Sequence, residues 1–129
     1  TDDDGNVTEI HCTYDPETKS GSGFTGRKVK GTIQWVCAET AERAEVRLYE
    51  NIVDEEKGVY NEDGTINVNP NSLTILENCY VEPALAEAKP MDSFQFVRQG
   101  YFCVDSKDST EDHLVFNRIV SLKSSYRPK

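Results

Sequence analysis

Ser93-Phe94-Gln95-Phe96-Val97-Arg98-Gln99-Gly100-Tyr101-Phe102-Cys103-Val104-Asp105 is the densest aromatic stretch of the chain, with four aromatic rings around one glycine. Gly100 reads as a hairpin turn or a bulge between two strand arms, since glycine takes backbone angles that other residues avoid. Two short arms of aromatic and β-branched residues are strand material. This segment sets an expectation of β structure, and the flanking sequence extends it.

Downstream, residues 114–122 form a last strand with Phe116, Arg118, Val120 and Leu122 on one face. Upstream, residues 83–89 suit one or two helical turns with Pro83 at the first helical position. Residues 73–81 read as a strand interrupted near Glu77 and Asn78. Residues 28–37 show the clearest alternation, with Val29, Gly31, Ile33, Trp35 and Cys37 facing one way and Lys30, Thr32 and Gln34 the other. Residues 7–14 alternate as well, with Thr8, Ile10, Cys12 and Tyr14 on one face. Residues 38–53 are ambiguous. Their Ala/Glu/Arg composition reads as helix, while Ala44, Val46 and Leu48 also alternate against Glu45, Arg47 and Tyr49.

Between these segments, residues 15–26 form a flexible loop and residues 54–71 an acidic, turn-rich insert. Within the insert, Asn61-Glu62-Asp63-Gly64 is a turn and residues 65–68 a short strand. Residues 1–6 read as a disordered leader. Short strands separated by turn clusters predict an all-β, mainly antiparallel fold, a small β-barrel with short helical turns. Trp35, Phe94, Phe96 and Val120 are its expected core contributors.

Length and charge bound what such a fold can do. The 129 residues allow one domain, and no apolar run is long enough to span a membrane as a helix. The first residue is Thr1, no signal sequence opens the chain, and it reads as a piece of something longer. A net charge of −9 argues against a surface that coats nucleic acid along its whole length. Yet residues 19–36 and 118–129 each hold four basic residues and no acid. They are either ordinary solvated surface or one local patch, if the fold joins them.

Cys12, Cys37, Cys79 and Cys103 show no close pairing, and zinc sites generally draw two ligands from one tight turn. Reduced thiols without metal are expected, each in a strand-like apolar context. No phosphate-binding loop, nucleophile elbow or HExxH zinc motif occurs, so an autonomous enzyme is not expected. Binding chemistry is present at Phe94-Gln95-Phe96-Val97-Arg98. Gln95 offers a paired donor and acceptor and Arg98 a planar fork, the groups that read the edge of an unstacked base. The same segment also reads as a core strand with a solvated Gln95, and composition alone favours that version.

Resemblance shifts the balance. The run Gly26-Arg-Lys-Val-Lys-Gly-Thr-Ile-Gln-Trp-Val36 resembles a segment of glutaminyl-tRNA synthetases. So do Ala44-Glu-Val-Arg-Leu-Tyr49, Asn69-Pro-Asn-Ser-Leu73, Val81-Glu-Pro83, Phe94-Gln-Phe-Val-Arg98, Gly100-Tyr-Phe-Cys-Val-Asp-Ser106 and Val115-Phe-Asn-Arg-Ile-Val120. They stand in that family's order and spacing from about residue 10 to residue 122. Gln34, Ile119 and the tail beyond Leu122 depart from the family pattern.

The resemblance is to the later part of the C-terminal anticodon-binding region, which that family builds from two small β-barrels. It implies that residues 44–49 are a strand, against their composition. It makes residues 7–129 a non-catalytic anticodon-binding fragment of a class I synthetase. Ligation of glutamine to its tRNA, with ATP and Mg, would belong to a catalytic domain that this sequence lacks. Gln95 and Arg98 match the family's pair that contacts the middle anticodon uridine, and Arg27, Lys28, Lys30 and Arg118 become candidate contacts to the RNA backbone. The implied partners are the tRNA anticodon loop and the upstream barrel and catalytic domain of the same chain, with no membrane, in the cytoplasm. The homologous region of eukaryotic or archaeal glutamyl-tRNA synthetases is the near alternative. A secreted β-sandwich with oxidised cysteines, or a structural barrel without RNA contact, are the distant ones.

Overall fold

The computed structural model describes residues 1–19, 21–27, 31, 33–54 and 56–122 of the chain. They divide into two units, residues 1–33 and residues 34–129. The first unit contains a 3-10 turn, Pro16–Thr18, capped by the Asp15 carboxylate, which accepts from the Glu17 N–H at 3.2 Å. Asp2 organises a second turn by accepting from the Asn6 backbone N–H at 2.8 Å and its side-chain amide at 3.0 Å.

The second unit holds five strands among the described residues: β1 Glu42–Tyr49, β2 Leu73–Val81, β3 Ser93–Phe96, β4 Gly100–Val104 and β5 Leu114–Ser121. They form one sheet in the order β2-β1-β5-β4-β3, with β1 and β5 parallel and every other neighbour antiparallel. β2 and β3 are edges, so the sheet is open and the expected barrel is not closed. A 3-10 turn, Pro83–Glu87, lies on the connection between the two edge strands, and its Leu85 packs with Ala88 against the core.

Composition misreads β1 as helix; burial explains why strand wins. Ala44, Val46 and Leu48 turn to the core while Glu45, Arg47 and Tyr49 face away, and neighbours on both sides satisfy the backbone. The core itself is Ala44, Val46, Val81, Phe102, Val104, Leu114 and Phe116. Phe116 is completely enclosed, with Phe94 and Phe96 set edge-on to it at centroid distances of 6.3 and 5.3 Å. Phe96 also stacks on Phe102 at 4.5 Å.

Two bulges refine the expected strands. In β2, Ala44 pairs with Cys79 but Val46 pairs with Leu76, so Glu77 and Asn78 together face Glu45, at the interruption read from sequence. In β5, Tyr101 pairs with Val120 but Phe102 pairs with Arg118, leaving Ile119 as the extra residue. One inserted residue reverses the facing of everything beyond it. Val120 therefore leaves the core face and is 51% exposed, which corrects its assignment to the core.

Trp35 is corrected too, at 75% exposed. Residues 33–37 and 7–14 form no strand among the described residues, while Lys28, Val29, Lys30 and Thr32 lie outside them. Alternation announces an apolar face; it does not supply the neighbouring backbone that a ladder needs. Cys12 and Cys37 consequently lie exposed, unlike Cys79 and Cys103, which are half-buried on β2 and β4. In the acidic insert the expected turn at 61–64 is present, but residues 65–68 form isolated bridges rather than the expected short strand. Gly64 N–H donates to Asn61 O at 3.0 Å, and Tyr60–Ile66 and Val53–Val68 form isolated bridges.

Gly100 closes the β3–β4 hairpin with φ of +154°, and a Cβ there would stand 2.6 Å from the Val120 carbonyl oxygen. That oxygen belongs to a paired strand and cannot retreat cheaply. Gly100→Ala is expected to destabilise the fold by about 2–3 kcal/mol, read as a lowered urea midpoint with an unchanged denaturant slope.

Candidate nucleic-acid interface

Gln95 stands on β3 directly across from Tyr101 on β4. Phe94 and Phe96, its neighbours in sequence, turn into the core, so strand alternation sends Gln95 outward. β3 ends at Phe96, and a β-turn follows, closed by Gln99 N–H donating to Phe96 O at 2.8 Å. Arg98 occupies the third position of that turn with φ of +67°. Positive φ at this position alone defines a type II turn, which ordinarily takes glycine or asparagine there. The turn changes the direction of the chain between Gln95 and Arg98. Along a straight strand, residues three apart would face opposite sides.

The other described arginines are already engaged. Arg27 holds Asp15 at 3.0 Å, and Arg43 lies over the Tyr80 ring at 5.8 Å. Arg47 bonds both Glu45 and Asp108 at 2.6 Å. Arg118 pairs with the Glu50 carboxylate and donates to the Tyr49 carbonyl at 3.1 Å. The side chains of Gln95 and Arg98 hold no hydrogen-bond or ion-pair partner among the described residues, and both are exposed. Lys28 and Lys30 lie outside the described residues.

Beside the hairpin lies a cleft of about 530 Å³, lined by Tyr80, Val81, Leu85, Phe94, Gln95 and Trp35 among others. Gln95 borders it and Arg98 does not. Its walls come from both edge strands and are largely apolar, so it offers shape rather than charge.

A family model, tRNA synthetases class I (E and Q), anti-codon binding domain, matches residues 32–105. The chain belongs to this anti-codon binding domain family. It is 55% identical to a Glutamine–tRNA ligase of Clostridium perfringens, over 99% of this chain and 23% of the relative. A Glutamine–tRNA ligase of Clostridioides difficile is 54% identical over 98% of the chain, and one of Vibrio vulnificus 47% over 97%. The chain thus spans about a quarter of the length of these relatives. No described helix is long and apolar enough to cross a membrane, and no described cluster of His, Cys, Asp or Glu could hold a metal ion.

A side-chain network that sequence reasoning missed braces the sheet-bearing unit. Arg47, Asp105 and Asn117 come from three of the recognised motifs, and all three meet on the side of the sheet away from the core. Asp105 accepts from the Asp108 and Lys107 backbone N–H groups at 2.7 and 2.8 Å and from the Asn117 amide at 2.6 Å. Those bonds hold its carboxyl at about 2, against 3.8 when free. Hydrogen bonds to Asp108 and then Glu45 raise the Arg47 guanidinium above its ordinary range. The network ties the 105–113 connection to β1 and β5. Nothing in the spacing of the three motifs announced it, because only the parallel β1–β5 pairing sets Arg47 beside Asn117.

A carboxyl whose pKa falls on folding stabilises the native state above its unfolded pKa and loses that contribution as the pH drops through its folded value. Asp105 should therefore contribute about 2 kcal/mol at neutral pH. The contribution disappears between roughly pH 5 and pH 2. Asp105→Asn is expected to lower the urea midpoint at neutral pH and to flatten its acid-side fall.

Proposed function

We propose that the chain supplies the anticodon-reading contacts of a glutamine–tRNA ligase. In this reading Gln95 and Arg98 hydrogen-bond the middle anticodon uridine after it is splayed from the loop. The observation that carries it is the hairpin: its turn sets apart two unpartnered groups, an amide and a guanidinium, from a sheet whose other described arginines are all engaged. An unstacked base presents paired donors and acceptors along its edge, and an amide with a guanidinium fork complements them.

Arg27, Lys28, Lys30 and Arg118 would serve the phosphate backbone. Arg27 and Arg118 do so only by releasing Asp15 and Glu50, so their share of the affinity is small. The net charge of −9 fits such a division, with a few placed contacts reading bases and the remainder of the enzyme supplying phosphate affinity. Activation of glutamine with ATP and Mg falls to a catalytic domain elsewhere in the full protein, acting in the cytoplasm.

The test is aminoacylation by the full-length protein, with glutamine and glutamate compared on matched tRNAs. Gln95→Ala and Arg98→Ala should each lower kcat/KM for tRNAs with a middle uridine and leave ATP-dependent activation of the amino acid intact. Unchanged kcat/KM in both variants would overturn the assignment.

A further inference from the structure

Hydrogen bonds to an edge fix a base within its plane, but something must hold its face. Among the described residues of the sheet-bearing unit, five large aromatic side chains are exposed: Trp35, Tyr49, Tyr60, Tyr80 and Tyr101. The Tyr49 hydroxyl is tied to Asn117 at 3.4 Å, and the Tyr80 ring carries the Arg43 guanidinium. Tyr60 lies in the acidic insert, bridged to Ile66. Trp35 lines the cleft that Arg98 does not reach. Tyr101 differs from all of them.

Tyr101 is paired in register with Gln95 on one side and with Val120 on the other. Residues directly opposite in an antiparallel pair put their side chains on the same face, with Cβ atoms about 4.5–5.5 Å apart. Gln95, Tyr101 and Val120 thus make one row across β3, β4 and β5 on the face away from the core, and each is exposed. Tyr101 is 44% exposed, and its ring meets no aromatic or cationic partner among the described residues. The turn that carries Arg98 begins immediately beyond Gln95 and Phe96 on the same hairpin.

We propose that Tyr101 is the stacking platform for the base whose edge Gln95 and Arg98 read, with Val120 extending the apolar floor beneath it. The inference rests on the reading above that this pair contacts a splayed base. It assigns affinity and specificity to different residues. Stacking is tolerant of base identity because every base has a π face, whereas the amide and guanidinium discriminate between bases.

The experiment uses the full-length protein and short RNA hairpins carrying the anticodon loop with uridine, cytidine or an abasic site at the middle position. Binding is read by fluorescence anisotropy, and folding of each variant by thermal melting. Tyr101→Ala should weaken the uridine and cytidine hairpins by a common factor, roughly 5- to 150-fold for one stacked base. It should leave the abasic hairpin unchanged. Tyr101→Phe should bind within about twofold of the parent, because the ring rather than the hydroxyl does the stacking.

If Tyr101→Ala binds all three hairpins like the parent while Gln95→Ala loses preference for uridine, the platform is wrong and the edge-reading pair stands. Equal weakening of the abasic hairpin would also overturn the platform, since Tyr101 would then act through the fold. Full uridine preference in both Gln95→Ala and Arg98→Ala would instead remove the reading on which the inference rests.

Discussion

Phe116→Ala is expected to destabilise the sheet-bearing unit by about 3–5 kcal/mol, enough to consume much of the stability of a domain of this size. Phe116 is fully enclosed at the centre of β5, between strands β1 and β4. Removing its ring deletes the surface against which Phe94 and Phe96 are set edge-on. It leaves a cavity that both edge-strand rings border. The neighbouring backbone is fixed by ladder bonds to β1 and β4, so it can close the gap only in part. Urea unfolding followed by tryptophan-independent circular dichroism would measure the loss. A change below about 1 kcal/mol would mean that the core collapses to fill the site. Phe116→Leu, closer in volume, should cost less than half as much.

That packing could be read only in part from the sequence. Phe94 and Phe96 belong to the core rim as the alternation of their segment implies, and the hairpin around Gly100 stands where the glycine put it. The break in β2 at Glu77 and Asn78 is likewise a local signal, because a polar pair interrupts an apolar run. Val120 failed for a different reason. Its position follows from a bulge at Ile119, which only the register between β4 and β5 reveals. Trp35 lies exposed because alternation marks an apolar face but supplies no partner strand to bury it. For β1, composition and alternation disagreed, and burial between two neighbours decided in favour of alternation. At the candidate site, the outward facing of Gln95 between two core phenylalanines is a matter of simple alternation, while the turn that carries Arg98 at positive φ has no signal in its residue types. The Tyr101 row has none either, since it depends on cross-strand register.

Arg98 carries the largest functional expectation because two opposing effects meet in one residue. Its φ of +67° places a side chain with a Cβ in left-handed backbone. That conformation costs about 1 kcal/mol relative to glycine. A turn chosen for stability alone would hold glycine or asparagine. Arg98→Gly is therefore expected to leave the fold as stable as before, or more stable by up to about 1 kcal/mol. At the same time it removes the guanidinium. If Arg98 and Gln95 read the middle uridine, either loss leaves one edge of a desolvated base unpaired, at roughly 1–3 kcal/mol, or about 5- to 150-fold in discrimination. Arg98→Lys should recover little, because a point charge cannot reproduce the planar fork. Melting temperature and kcat/KM for tRNAs with middle uridine or cytidine, measured on the same full-length variants, separate the two effects. A rise in melting temperature with a fall in uridine preference marks a residue kept for recognition at the expense of its turn. Loss of both together would mean that Arg98 serves the fold, and the unpartnered guanidinium would then need another explanation.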